Sequence, residues 1–190
     1  MATFTVVYDA CVLYPAPLRD LLIRLAMTRL VRARWTEQIH DEWTRNLLAD
    51  RPNDFTREGL DRTVKLINDA IEDCLITGYE HIINQLKLPD PNDRHVLAAA
   101  IRIGAAAIVT MNLKDFPEDV LDEFGIFSIH PDDFILDIAD LEPPILERIA
   151  KEQRANLRNP PISAEQFVNN IRKQGLPGVA DFMESRTDLI

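Results

Sequence analysis

The sequence predicts an α/β fold in which a central, mostly parallel sheet is covered by helices on both faces. Short apolar runs that are typical of buried strands alternate along the chain with longer segments whose apolar residues recur at helical spacing. Parallel strands need long crossover connections, which are usually helices. Polar side chains follow several of the predicted strands, and the carboxyl ends of parallel strands are where open α/β sheets bind ligands.

The elements follow from local patterns. Apolar, β-branched runs predict four short strands, at residues 4–8, 31–35, 105–110 and 126–129. Apolar stripes predict helices over residues 18–30, from Thr36 onward, over 54–71, over 93–104 and over 131–139. The segment 79–88 has no clear pattern. In the first helix the arginines scatter around the axis, which favours a solvated face over an RNA-contact surface.

The last quarter of the chain has a different character. The pairs Pro143-Pro144 and Pro160-Pro161 separate three helical patterns, at residues 145–156, 164–173 and 179–185. We therefore divide the chain into a domain at residues 1–142 and a C-terminal helical extension at residues 143–190. The pattern indicates that the extension docks on the domain or on a partner.

Composition limits the class of protein. Residues 1–142 hold 25 acidic and 14 basic side chains, whereas residues 143–190 hold six and seven. Such an acidic domain repels nucleic acid unless cations intervene, and it attracts basic protein partners. The two cysteines show no disulfide or zinc-binding spacing. With no secretory leader and no membrane-spanning run in sight, we expect a cytoplasmic protein without a membrane partner.

Several acidic residues lie where a parallel sheet could bring them to one edge. Asp9 ends the first strand, Glu42 lies beside the apolar stripe of a helix, Asp93 begins an alanine-rich helix, and Asp115 follows the third strand; Asp90 is a possible fifth member. Like charges at close range require a cation or raised pKa values. We hypothesise that these acids meet around a divalent metal.

Each of these residues also has a purely structural interpretation. Asp90 and Asp93 could cap the helix that follows them. Glu42 could be a surface residue paired with Arg45. His95 could contact substrate, although the pattern favours a histidine on the helix surface.

The donor set predicts the chemistry. Oxygen ligands suit Mg²⁺ or Mn²⁺ over zinc. Metal held in this way can activate water and neutralise a phosphodiester, so hydrolysis of a phosphate ester is the natural reaction class. Glycine-rich phosphate loops, nucleophile elbows and paired histidines of metalloproteases are all missing from the sequence.

Three blocks carry a family resemblance: Asp-Ala-Cys-Val-Leu-Tyr-Pro-Ala-Pro-Leu-Arg-Asp at 9–20, Leu-Pro-Asp-Pro-Asn-Asp-Arg-His-Val-Leu-Ala-Ala-Ala at 88–100 and Thr-Met-Asn-Leu-Lys-Asp-Phe-Pro at 110–117. In this order, across residues 3–135, they resemble the PIN domain, and specifically the VapC-like ribonucleases that act as toxins in type II toxin-antitoxin pairs. The resemblance implies a three-layer α/β fold, dependence on Mg²⁺ or Mn²⁺, and endonucleolytic cleavage of RNA restrained by an antitoxin.

The resemblance also assigns roles by position. It implies that Asp9, Glu42, Asp93 and Asp115 are the catalytic and metal-binding acids. Asp90 is the alternative to Asp93 as the third acid, and Asp93 is favoured because the alanine-rich helix follows it directly. Thr110 and Asn112 match polar residues that line the same pocket.

Partners and alternatives follow from the same comparison. If an antitoxin exists, its inhibitory segment should present Arg or Lys to the acidic rim. Family analogy implies a homodimer. One alternative is a PIN-domain RNA-processing nuclease without an antitoxin. Another is a non-enzymatic Mg²⁺-binding phospho-acceptor or interaction module, but such a receiver would show paired acids after the first strand and a late Lys-Pro, and the sequence has neither.

Overall fold

The structure is a computed structural model that describes residues 4–158 and 160–190. Its sheet contains the strands β1 (Phe4–Tyr8), β2 (Val31–Arg34), β3 (Ala107–Val109) and β4 (Phe127–Ile129). All neighbouring strands run parallel, in the order β2-β1-β3-β4. The predicted parallel sheet is confirmed, and β1 has the predicted bounds.

Helices connect the strands and cover the sheet. They are α1 (Ala10–Leu13), α2 (Ala16–Met27), α3 (Glu37–Asp50), α4 (Arg57–Ala70), α5 (Glu80–Ile83), α6 (Arg94–Ile103), α7 (Glu118–Leu121), α8 (Pro131–Leu141), α9 (Pro143–Asn156), α10 (Ala164–Lys173) and α11 (Pro177–Glu184). Short 3-10 turns lie at Pro91–Asp93, Leu113–Asp115 and Asp122–Phe124. The α/β class and the C-terminal helices are confirmed. The unassigned segment 79–88 contains only the short helix α5.

The ends of two helices show how local sequence signals set the helix boundaries on either side of the sheet. Thr36 follows β2, and its hydroxyl accepts a hydrogen bond of 3.0 Å from the backbone N–H of Ile39, which caps α3. Gly104 ends α6 in the left-handed region, at φ 60°, a conformation that glycine adopts without strain. The chain then returns directly into β3, so α6 packs on the sheet.

The core lies between the sheet and its helices. Val6, Val7 and Tyr8 of β1 are fully buried, as are the three residues of β3. In α6 six consecutive residues, 95–100, are buried, so this helix is surrounded on all sides in that stretch. A helix buried all round must satisfy any polar side chain that it carries.

The C-terminal helices dock on the rest of the chain. Helix α9 packs against α2, and the Gln153 side-chain amide donates a 2.8 Å hydrogen bond to the carbonyl of Pro17. The buried Asp132 of α8 accepts hydrogen bonds of 2.8 Å from the backbone N–H groups of Gly178 and Val179, at the start of α11. Because α8 contacts both α9 and α11, the boundary between residues 142 and 143 stays a prediction.

Two expectations for individual helix faces are wrong. Arg19 is only 9% exposed, because its guanidinium donates to the carbonyls of Leu13 and Tyr14 and lies 4.5 Å above the Trp43 ring. Arg19 therefore caps the carboxyl end of α1 and does not face solvent. Leu66 belongs to the apolar stripe that predicts the helix over residues 54–71, which placed it on or near the inner face, but the residue is 64% exposed. Among the described residues, no helix is long and apolar enough to span a membrane.

Candidate active site

Asp9 anchors the site at the carboxyl edge of the sheet. Its backbone N–H donates to the Val109 carbonyl, which places it beside the end of β3. The side chain is buried, and its Oδ1 accepts a 2.7 Å hydrogen bond from the Ala10 N–H. Its Oδ2 accepts from the Thr110 hydroxyl at 2.7 Å and from the Cys11 thiol at 3.0 Å. Three donors thus fix the orientation of one carboxylate.

Thr110 links the ends of two strands. Its hydroxyl donates to Asp9 and accepts a 3.0 Å hydrogen bond from the backbone N–H of Asn112. Thr110 is fully buried, so it positions Asp9 from inside the protein. The side chain of Asn112 is exposed, and only its backbone N–H joins this network. Cys11 was not predicted as a member of the site, although its place two residues after Asp9 is a sequence signal.

Asp93 and Asp90 have different environments. The carboxylate of Asp90 accepts a 2.8 Å hydrogen bond from the Asn92 N–H and caps the 3-10 turn Pro91–Asp93. Asp93 stands directly before α6 but makes no capping hydrogen bond. The capping interpretation therefore applies to Asp90 and fails for Asp93. This difference favours Asp93 as the acid that acts at the site.

Glu42 is not the surface residue paired with Arg45 that the structural interpretation describes. Arg45 instead contacts Asp41, at 3.3 Å. Glu42 is partly buried, and its Oε2 lies 3.2 Å from Nε2 of His95. The predicted position of His95 on the helix surface is wrong, since the side chain is 3% exposed. The sequence signal for this contact was a lone polar residue in an otherwise apolar stretch of α6.

The charges of the acids act on one another. The pKa of Asp93 is raised to about 7, by burial first and then by the charges of Asp9, Asp90, Asp115 and Glu42 in that order of size. Burial also raises the pKa of Asp9, and the charge of Glu42 adds to the effect, while the hydrogen bonds from Cys11 and Thr110 oppose it. All five predicted acids therefore lie close enough to interact electrostatically.

The chemistry and the spacing of these acids show how well they suit a divalent cation. The donor set consists of carboxylate oxygens, which Mg²⁺ and Mn²⁺ prefer. A cation would relieve the repulsion that, after burial, raises the pKa of Asp93. In the described part of the chain, however, no three or more His, Cys, Asp or Glu side chains are already gathered at metal-binding distances. The chemistry of the donors fits such an ion, and holding it would require their side chains to move closer together.

Burial and the neighbouring Asp9 charge raise the pKa of the Cys11 thiol. The thiol therefore stays protonated at neutral pH and donates to Asp9. Its sulfur also accepts a 3.2 Å hydrogen bond from the Met111 N–H. Cys11 thus supports the Asp9 carboxylate and is not activated as a nucleophile.

Comparison with known proteins agrees with this geometry. Residues 5–114 match the PIN domain family, and residues 131–185 match the VapC50 C-terminal domain family. The chain is 40% identical over 82 residues to Putative ribonuclease VapC50 of Mycobacterium tuberculosis (strain ATCC 25618 / H37Rv). That alignment covers 43% of this chain and 48% of the relative, about half the length of each. No solved structure gives a significant match. The protein therefore belongs to the PIN-domain family.

Proposed function

We propose that this protein is a metal-dependent endoribonuclease that hydrolyses RNA phosphodiester bonds and serves as the toxin of a VapBC-type pair. The observation that supports the proposal is the electrostatic interaction of Asp93 with Asp9, Asp90, Asp115 and Glu42, whose charges add to the effect of burial in raising the pKa of Asp93 to about 7. The family and the relative named a putative ribonuclease support the reaction class. The phospho-acceptor alternative has no support from the family match.

In this proposal each side chain has a defined task. Asp9 and Asp93, with Glu42 and Asp115, would hold Mg²⁺ or Mn²⁺, and Asp90 serves mainly as a cap. The bound ion would supply a water of lowered pKa and charge neutralisation for the phosphodiester. Thr110 and Cys11 hold the Asp9 carboxylate in one orientation by donating to the same oxygen. Such pre-orientation matters because small displacements of catalytic groups cost large factors in rate.

The acidic edge also explains why RNA would require the cation. Without it, the clustered carboxylates repel the phosphates of the substrate. With it, the bound cation would offset the charge of the carboxylates and attract a phosphodiester locally, within a domain that is otherwise strongly acidic. We therefore expect RNA binding, as well as RNA cleavage, to depend on the divalent ion.

The direct experiment incubates purified protein with a pool of tRNA, rRNA and mRNA in Mg²⁺, Mn²⁺ or EDTA. The Asp9→Asn variant tests the site, and Asp133→Asn removes an exposed charge from α8 as a matched control. We expect discrete fragments with metal in the wild type and the control and none in EDTA or in Asp9→Asn. Absence of RNA cleavage by the folded wild type under all three conditions would overturn the proposal.

The antitoxin part of the proposal rests on charge. An inhibitory segment that places Arg or Lys among the acids would replace the charge of the metal with charge-assisted hydrogen bonds. The test co-expresses the protein encoded beside this gene and measures inhibition before and after its Arg and Lys residues are changed to Gln. Undiminished inhibition by the neutral variant would contradict the charge mechanism, and absence of any inhibitory neighbour would favour an RNA-processing nuclease. We also expect a homodimer, which light scattering tests.

A further inference from the structure

His95 lies in the most buried part of α6. Residues 95–100 are all buried, and His95 is the only polar side chain among them. An apolar residue in its place would pack without any polar atom to satisfy. A buried imidazole costs free energy unless its nitrogens find partners, so its presence there requires a specific contact.

That contact is the carboxylate of Glu42. Nε2 of His95 lies 3.2 Å from Oε2 of Glu42, and this contact joins α6 to α3 across 53 positions of sequence. Because an ionised carboxylate can only accept, the imidazole nitrogen must carry the hydrogen and donate it. The Glu42 side chain is 30% exposed. In the described part of the chain, His95 is the one side chain within hydrogen-bonding distance of its carboxylate.

The other ring nitrogen shows that the histidine is not there for packing alone. Nδ1 of His95 is buried and has no hydrogen-bond partner among the described residues. An unsatisfied buried acceptor is a cost that a leucine at the same position would avoid. The structure therefore retains an imidazole at some expense, and the contact with Glu42 is the interaction that it provides.

We propose that His95 is a positioning residue for Glu42. The inference rests on the proposed function, because it assigns Glu42 to the ion-binding set. By donating to one oxygen, His95 holds the partly exposed Glu42 side chain on the edge shared with Asp9 and Asp93, and it leaves the second oxygen of Glu42 for the ion. Hydrogen bonds of this kind orient metal-ligating carboxylates, and their loss typically weakens metal affinity by about 10- to 100-fold.

The test measures the Mn²⁺ dissociation constant by calorimetric titration, with thermal unfolding as a check on folding. His95→Leu removes the donor and His95→Gln restores one, while Val96→Ala removes buried volume from the same helix and leaves both His95 and Glu42 unchanged. We expect His95→Leu to bind Mn²⁺ about 10- to 100-fold more weakly. His95→Gln should recover most of that loss, and Val96→Ala should bind like the wild type.

A double-mutant cycle shows whether the effect passes through Glu42. In a Glu42→Ala background, adding His95→Leu should change Mn²⁺ affinity by less than about twofold, because the partner is already missing. Equal losses in His95→Leu and His95→Gln, wild-type affinity in folded His95→Leu, or additive losses in the cycle would overturn the inference and leave the nuclease proposal intact. Failure of the wild type to bind Mn²⁺ would overturn both.

Discussion

Replacing Asp93 with asparagine should stabilise the metal-free protein. The pKa of Asp93 is raised from 3.8 to about 7, so in EDTA at pH 8 its ionisation opposes folding. At about 1.4 kcal/mol per pKa unit the full shift corresponds to about 4 kcal/mol. Because the side chain is partly exposed, solvent screening reduces the effect, and we expect about 1–2 kcal/mol. For a chain of this size that is a rise of roughly 2–8 °C in Tm.

The stability difference between the wild type and Asp93→Asn should depend on pH in a defined direction. An acid whose folded pKa is raised takes up protons on folding, so the metal-free wild type loses stability as pH rises from about 4 through about 7. The asparagine side chain of the variant does not titrate, and the advantage of Asp93→Asn should therefore shrink as pH falls from 8 toward 5. Added Mn²⁺ should reverse the order, because it stabilises the wild type by binding and the variant much less.

The assay is thermal unfolding followed by circular dichroism, in EDTA and in Mn²⁺, between pH 5.5 and 8.5. Asp133→Asn serves as the control, since it removes one exposed acid from α8. An Asp93→Asn protein that is no more stable than the wild type in EDTA at pH 8 would refute the reasoning. An advantage that does not change with pH would refute it as well, because the gain would then have another source than ionisation.

Three further predictions concern single contacts. Thr110→Val removes the hydroxyl that donates to Asp9, and Mn²⁺-dependent cleavage should fall at least about tenfold without loss of the fold, whereas unchanged cleavage would contradict a positioning role. Burial lowers the pKa of His40, whose Nδ1 accepts a hydrogen bond from the Trp43 indole N–H. Because the pKa is lower in the folded protein, the stability that neutral His40 contributes should be lost progressively as pH falls below about 6.5. A His40→Gln variant that shows the same loss in denaturant titrations would contradict this. Asp132→Ala removes two hydrogen bonds to the start of α11, so unfolding should cost about 1–3 kcal/mol less and protease should cut near α11 faster, with Asp133→Ala as the unaffected control.

The sheet could be predicted because its signals are local. β1 is a short β-branched run closed by Asp9, and the structure keeps those bounds. Helix α10 also has its predicted bounds, and Ser163 and Gln166 form a capping box at its start. Where the chain offered no period, at residues 79–88, only one short helix forms.

The burial of individual side chains could not be predicted in the same way. Arg19 was expected on a solvated face, but it finds partners in the carbonyls at the end of α1 and in the Trp43 ring. The ring is distant in sequence, and the sequence pattern does not show that the carbonyls are free to accept. His95 was expected on the surface because helical periodicity does not reveal that α6 is enclosed on every side. Its partner Glu42 comes from another helix, and only the fold brings the two together.

In the candidate site, too, some features could be predicted from local sequence and others depend on the fold. Sequence placed Asp9, Asp93 and Asp115 after strands or before a helix, and the charges of Asp9 and Asp115, after burial, raise the pKa of Asp93, which agrees with a shared edge. The sequence favoured Asp93, because the alanine-rich helix follows it directly, but it kept Asp90 as an alternative, since both precede the same helix. The structure distinguishes them by a single hydrogen bond, from the Asn92 N–H to Asp90.

The most direct test of the central claim is cleavage of end-labelled RNA by the wild type and Asp93→Asn, each with Mn²⁺ and with EDTA. The proposal that the acid cluster is a metal-dependent nuclease centre requires discrete fragments only in the wild-type lane with Mn²⁺. The same fragments in EDTA, or from folded Asp93→Asn protein with Mn²⁺, would contradict it.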